Sequence, residues 1–253
     1  MDVRGKPTQC LTDCDNVHKI LSHRRFNPEW NNLYENHPAD ILGACYNCRE
    51  LKIKFRDDNG NVINDNKSRV IAIDGACSEN GRQEARAAFG IYFGDKAYDN
   101  CSGFVPENIP QTNQVAELIA AIEALKIMEE YLDKDIKNGV ARSPDRYTCK
   151  VLIIIDSAYV VNGATNWIFK WKENGFKTST GKPVTNRELF EELDYLIKKF
   201  NYFEIPVWFW HVKREFNKSA DAMARIPLYG EQEVPVLVPV VRDYKRFSEM
   251  RRR

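Results

Sequence analysis

Four carboxylates stand in contexts that would let a fold gather them: Asp74, Glu117, Asp156 and Asp221. Asp156 follows five aliphatic residues, VLIII (151–155), and precedes the helix-like SAYVVNGATNW. Two readings are open for it. It can cap the helix that follows, or the strand can carry it to a reaction site, because burying an unpaired carboxylate is costly. Asp74 ends a second apolar run, RVIAID (69–74). If the two strands are parallel neighbours, both acids emerge at the same sheet edge, where α/β sheets usually place ligands. Glu117 lies one turn into the helix of QTNQVAELIAAIEAL, and Asp221 in the first turn of the helix of NKSADAMAR. Each has a bland alternative: a turn cap for Asp74, the helix dipole for Glu117 and Asp221. A point where all four met would repel itself unless a cation held it together. An all-oxygen donor set suits Mg²⁺ or Mn²⁺. Two such ions can activate water and stabilise the leaving oxygen in phosphodiester hydrolysis.

The elements that must position these acids are legible from residue 69 onward. Alternation and turn signals predict strands at 69–74, 87–93 (AAFGIYF), 101–105 (CSGFV), 151–155 and 206–212 (PVWFWHV). Helices are predicted over 112–132, from 156 to about 168, over 187–200 and from near Ser219. Val115, Leu118, Ile122, Leu125 and Met128 share one side of the first. Residues 133–149 read as an exposed insert. A hairpin start followed by helical crossovers predicts a mixed sheet with helices packed on it. Upstream, LKIKFRDDNGNVIND (51–65) reads as a hairpin around Asn59-Gly60. The expected division is an N-terminal Cys-containing extension or small module (1–66), a catalytic domain (67–228) and a basic tail (229–253).

The 253 residues are 43% hydrophobic and 29% charged, as in ordinary soluble globular chains. No apolar run approaches the roughly 20 residues of a membrane span, so no membrane partner is expected. The N-terminus lacks the apolar stretch of a signal peptide. Seven cysteines in that context predict reduced thiols and a cytoplasmic or nuclear setting. Cys10, Cys14, Cys45 and Cys48 are spaced C-x3-C and C-x2-C, a set that could hold a structural zinc ion or be small buried hydrophobes. The net charge of +1 points to no partner, but its distribution does. Between Trp167 and Arg187, five basic residues face one acid, and Trp167, Trp171 and Phe176 are interleaved with them. Aromatics among lysines are a better nucleic-acid signal than charge alone.

The blocks IDGACSENG, QTNQVAEL, IIDSAYVVNGATNWIFKWKENGFKTSTGKPVTN and NKSADAMAR resemble, in the same order over about 69–225, the eukaryotic type-1 ribonuclease H family. The resemblance implies the ribonuclease H-like α/β fold: a five-stranded mixed sheet, its first three strands antiparallel, with helices on both faces. It implies an endoribonuclease that cuts the RNA strand of an RNA–DNA hybrid by two-metal-ion catalysis, leaving 5′-phosphate and 3′-hydroxyl ends. Asp74, Glu117, Asp156 and Asp221 match the catalytic, metal-binding carboxylates, with two Mg²⁺ ions that Mn²⁺ can replace. Cys77, Asn80, Asn113 and Gln114 match positions facing the RNA strand, where short polar groups read the 2′-hydroxyls that mark RNA. Trp167, Trp171 and Ser179 match the DNA-strand channel. Thr112 and Asn186 match a pocket for a DNA phosphate.

Two departures bear on function. The family usually carries a loop with a Gly-His pair before the last helix, and here the stretch is FWHVKREFNKSAD. His211 can be matched to that histidine or, better, to the preceding strand; in the second alignment the family histidine is missing and the loop is shortened to Lys213–Phe216, with Arg214 or Glu215 as the candidates to stand in. Pro110 replaces the basic residue often found before Gln-Thr-Asn. These departures motivate the alternative of a hybrid-binding module with weak or lost catalysis. A third reading is a nuclease of this fold with a different substrate.

Overall fold

The computed structural model of the chain describes residues 23–31, 37–137 and 150–230. Five strands form the central sheet: β4 (Ser68–Ser78), β5 (Arg86–Tyr92), β6 (Cys101–Phe104), β7 (Lys150–Ile155) and β8 (Val207–His211), in the order β6-β5-β4-β7-β8. β4, β5 and β6 pair antiparallel, whereas β7 runs parallel to both β4 and β8. This is the expected five-stranded mixed sheet. A smaller sheet precedes it, of β1 (Leu42–Ala44), β2 (Leu51–Arg56) and β3 (Val62–Asn64). β2 and β3 are the expected hairpin, and Gly60 in its turn has a left-handed φ of 83°, a conformation glycine adopts without strain.

The near-continuous apolar runs in β4 and β7 follow from burial on both faces. On one face Ile71, Ile73, Val151, Ile153 and Ile155 join a core with the helices α1 (Asn113–Lys137), α2 (Ala158–Asn162) and α4 (Arg187–Tyr202). Val115, Leu118, Ile122, Leu125 and Met128 of α1 are all buried, as their spacing predicts. On the other face Val70, Ala72, Leu152 and Ile154 meet Ala220 of α5 (Lys218–Tyr229). Phe26, Ile41, Leu42, Leu51 and Ile53 complete that second cluster, so the described part of 1–66 packs directly on the sheet. Residues 24–26 also lie alongside β8. The Phe209 amide donates to the Arg24 carbonyl at 2.7 Å, and the Phe26 amide to the Phe209 carbonyl at 3.0 Å, which covers an edge that would otherwise be free to pair.

Two helical expectations are corrected. α1 runs to Lys137, so the first residues of the expected 133–149 insert continue a helix; the rest of it lies outside the described residues. The helix expected to end near residue 168 continues to Glu173 and changes type on the way: α2, a π-helical turn (Gly163–Trp167), then α3 (Ile168–Glu173). In that turn the Ile168 amide reaches the Gly163 carbonyl. The Thr165 hydroxyl donates to the Val161 carbonyl at 2.7 Å, a side-chain bond of the kind that bends helices. π-turns of this sort are frequent at functional sites.

Candidate active site

The parallel register pairs Ala72 of β4 with Ile154 of β7. Two residues further along each strand, Asp74 and the residue after β7, Asp156, therefore stand level at the same sheet end. α1 is brought against β4 by Gly75: a methyl group there would lie 2.4 Å from the Glu117 amide nitrogen. α5 is brought onto the sheet in the same way by Gly90, the cross-strand partner of Asp74, where a methyl group would lie 2.2 Å from the Ala224 nitrogen. Glycine at these two positions lets the helices carrying Glu117 and Asp221 approach the strands carrying Asp74 and Asp156.

The electrostatics register the gathering. Asp74 and Glu117 are buried. Burial first, and then the charges of Asp156, Asp221 and Glu117, push the Asp74 carboxyl up to about 8, against one bond accepted from the Gly75 amide at 2.9 Å. Burial likewise pushes Glu117 up to about 7, with Asp156 adding to it and the Ser157 hydroxyl opposing. Ser157 donates to Glu117 Oε2 at 2.6 Å and Asn113 Nδ2 to Oε1 at 2.9 Å, so both oxygens of Glu117 are held. Asp156 is gripped by Asn217, whose Nδ2 donates to its Oδ1 at 3.3 Å and to the Ile73 carbonyl at 2.9 Å. Asp221 Oδ1 accepts from Arg214 Nη2 at 2.6 Å.

This donor set fits a hard divalent cation in its chemistry: oxygen ligands only, two of them buried with excess negative charge nearby. Among the described residues, no three acidic, His or Cys side chains are drawn tightly round one point. Asp221 is engaged with Arg214 instead, and that bond would have to yield for all four acids to serve one site.

Asn217 and Ser157 are site residues that the sequence reading passed over. Ser157 caps α2, accepting from the Val160 amide, and the cap hydroxyl is the group that reaches Glu117. Its position directly after Asp156 was the available signal. Asn217 precedes α5, is 1% exposed, and ties β4 to Asp156. Asn217→Ala is expected to lower stability by about 1–3 kcal/mol, because the Ile73 carbonyl and Asp156 both lose a buried donor. Thermal melts check this, and a loss below the resolution of the melt would show that the bonds carry no net stability.

His211 ends β8, and its Nε2 lies 3.2 Å from the Asp156 carbonyl, at the rim of the acid cluster. The connection from β8 to α5 contains a 3₁₀ turn, Arg214–Phe216, in which Glu215 is exposed. The residues expected to face the RNA and DNA strands lie near the end of β4 and in the turn after it, at the start of α1, and along the segment from α2 to α4. Cys77, near the end of β4, contacts the Gln111 carbonyl through Sγ at 3.5 Å, and Asn80 is exposed in the turn that follows. Gln114 is exposed at the start of α1. Thr112 caps α1, its hydroxyl accepting from the Val115 amide at 3.2 Å. Asn186 has a φ of 59° and donates to the Tyr159 hydroxyl at 3.2 Å. Trp167 and Trp171 stand with ring centroids 5.7 Å apart, both half-buried, over Tyr159 and Phe190. Ser179 is exposed at the tip of the 177–183 turn. Cys45 and Cys48 lie at the β1–β2 turn, while Cys10 and Cys14 are outside the described residues. Among the described residues no helix is long and apolar enough to cross a membrane.

The profile of the RNase H family matches residues 66–227. Ribonuclease H1 of Rattus norvegicus is 37% identical over 161 residues, 63% of this chain and 50% of the rat protein. The chain thus spans about half the length of that relative. Ribonuclease H of Clostridium botulinum is 33% identical over 161 residues, 62% of this chain and 93% of the bacterial protein. The solved structure of LC11-RNase H1 in complex with RNA/DNA hybrid aligns with a TM-score of 0.42 at 21% identity, covering 62% of this chain and 93% of that one. The family match takes in all four carboxylates, and the chain belongs to the RNase H family.

Proposed function

We propose that the protein is an endoribonuclease that hydrolyses the RNA strand of RNA–DNA hybrids at the Asp74–Glu117–Asp156–Asp221 cluster. The observation that carries this reading is the burial of Asp74 and Glu117 beside two further acids, within a chain of this family. A structural role gives no reason to bury carboxylates that raise one another's proton affinity; cation binding does. Two divalent cations, Mg²⁺ or Mn²⁺, held by these four side chains would activate the attacking water and stabilise the leaving 3′-oxygen, giving 5′-phosphate and 3′-hydroxyl ends.

The chain's own groups supply the rest. Ser157 and Asn113 fix Glu117, and Asn217 fixes Asp156, so two acids need no reorientation when substrate arrives. Cys77, Asn80, Asn113 and Gln114 line the RNA side, where the 2′-hydroxyl is the distinguishing group. The half-buried faces of Trp167 and Trp171 offer flat apolar surface to the deoxyribose of the DNA strand, with Ser179 further along. Thr112 and Asn186 take a DNA phosphate. Lys170, Lys177 and Lys182 are exposed around them, where they add attraction for the backbone.

The test is incubation of a hybrid, labelled on each strand in turn, with the full chain in Mg²⁺ and then in Mn²⁺. Fragments from the RNA strand alone are expected. Tight hybrid binding with no cleavage in either metal would overturn the nuclease and leave the binding module. That alternative draws on the missing loop histidine and on the engagement of Asp221 by Arg214.

A further inference from the structure

The connection from β8 to α5 is short and tightly held. Its Phe216 packs against the second core cluster and lies edge-on to His37, with centroids 4.5 Å apart. Asn217 is buried and bonded at both ends of its amide nitrogen's reach. The Phe216 amide donates to the Lys213 carbonyl and the Asn217 amide to the Arg214 carbonyl, closing the 3₁₀ turn. Of the long side chains this frame leaves exposed (Lys213, Arg214 and Glu215), Arg214 is the one that reaches the acid cluster. Arg214 is 75% exposed, and the partner it takes is Asp221, which is 24% exposed and belongs to the acid cluster. Its guanidinium also acts across the cluster: it opposes the rise of Glu117, and the charges of Asp74 and Asp156 are felt at Arg214.

A solvent-exposed Arg–Asp pair of this kind holds weakly. A divalent cation competing for the same carboxylate would meet a unit positive charge 2.6 Å from one of its oxygens. We infer that Arg214 is an exchangeable counter-charge: it competes with divalent cations for Asp221, and it must be displaced from Asp221 for cation loading. The inference rests on the cation-dependent reading above and deepens it. It assigns to the shortened loop a function different from that of a proton-handling histidine: it sets how much divalent cation the site needs. Arg214 acts here as a positioning residue, through Asp221.

The test is calorimetric titration of Mn²⁺ into the full chain without nucleic acid, for wild type, Arg214→Ala, Arg214→Lys and Lys213→Ala. Arg214→Ala should bind Mn²⁺ about three- to tenfold tighter, the size expected for removing one charge near a divalent ion in a largely aqueous setting. Arg214→Lys should stay close to wild type. Lys213→Ala, which removes an exposed charge one residue earlier in the chain, should change affinity by less than about twofold on the same grounds. The Mn²⁺ concentration giving half-maximal hybrid cleavage should fall in Arg214→Ala by the same factor as the dissociation constant. Unchanged or weaker binding in Arg214→Ala, in a chain that still cleaves hybrid, would overturn this inference and leave the nuclease standing. Equal tightening in Lys213→Ala would overturn it too, by reducing it to net charge. Failure of wild type to bind Mn²⁺ or to cleave would overturn both.

Discussion

Asp74→Asn is expected to abolish cleavage of the RNA–DNA hybrid and, with divalent cations chelated, to make the fold more stable. Asp74 is 4% exposed, and among the described residues its carboxylate takes one hydrogen bond, from the amide next to it, that of Gly75. The asparagine keeps the shape and can keep that bond, but it removes the charge at the centre of the cluster. A lost divalent site and a lost hydrogen-bonded acid together remove several kcal/mol of transition-state stabilisation, or about three orders of magnitude in rate. A variant that cleaves hybrid at a rate near wild type would sink the assignment of this acid.

The stability half of that prediction follows from sign. The carboxyl of Asp74 is raised to about 8 by burial and by Asp156, and that of Glu117 to about 7 by burial. Between about pH 4 and pH 8 the folded protein therefore holds protons that the unfolded chain has released, and stability falls as pH rises through that window. The chelated wild type should melt at a lower temperature at pH 8 than at pH 5. Asp74→Asn should remove much of that slope and gain about 1–3 kcal/mol at pH 8, or about 3–10 °C for a domain of this size. Adding Mg²⁺ should recover wild type and do little for the variant. A chelated wild type that melts higher at pH 8 than at pH 5 would contradict this account.

What the sequence made legible was local or periodic. The strands at 69–74 and 151–155 announce themselves by apolar runs, and the helix between them, α1, is the crossover that fits their observed parallel pairing. The helical stripe from Val115 to Met128 is a 3.6-residue repeat, and every member is buried. The carboxylates could be singled out because each sits at the end of such an element. Contacts without a local signature were missed. Nothing in LGA or LKIKF says that Leu42, Leu51 and Ile53 cover the second face of a sheet that begins at residue 68. The π-turn at Gly163–Trp167 depends on a side-chain bond inside an otherwise helical run. Asn217 carries no local signal in the sequence, although its side-chain amide, just before α5, reaches the Ile73 carbonyl in β4 and Asp156. Burial of charge was the least visible of all, because Arg24 and Asp194 are 170 positions apart.

That pair carries the second large prediction: Asp194→Ala is expected to lower stability by about 3–5 kcal/mol, the usual loss when one member of a buried ion pair is removed. Arg24 is 4% exposed and the Asp194 side chain 6%, with Nη2 to Oδ1 at 2.7 Å. Burial would raise the Asp194 carboxyl, yet hydrogen bonds and charge from Lys172 and Arg24 hold it below its ordinary range. Lys198 adds a third cation at 3.3 Å. Without the acid, Lys172 and Lys198 can turn to water, but Arg24 cannot. Its other partners are the Ala164 carbonyl in the π-turn, at 3.1 Å, and the face of Phe169. One carboxylate thus ties residue 24, the α2–α3 segment that presents Trp167 and Trp171, and α4. Loss of that tie should loosen the tryptophan platform while leaving the four acids in place, so the KM for hybrid should rise more than kcat falls. The double variant Arg24→Met, Asp194→Leu separates the two effects. Replacing both charges by apolar groups should restore most of the stability. If it restores the melting temperature and the KM together, the pair serves only to hold the segment in place. If stability returns and KM stays high, the charges themselves contribute to binding the hybrid, and Asp194 is more than a structural tie.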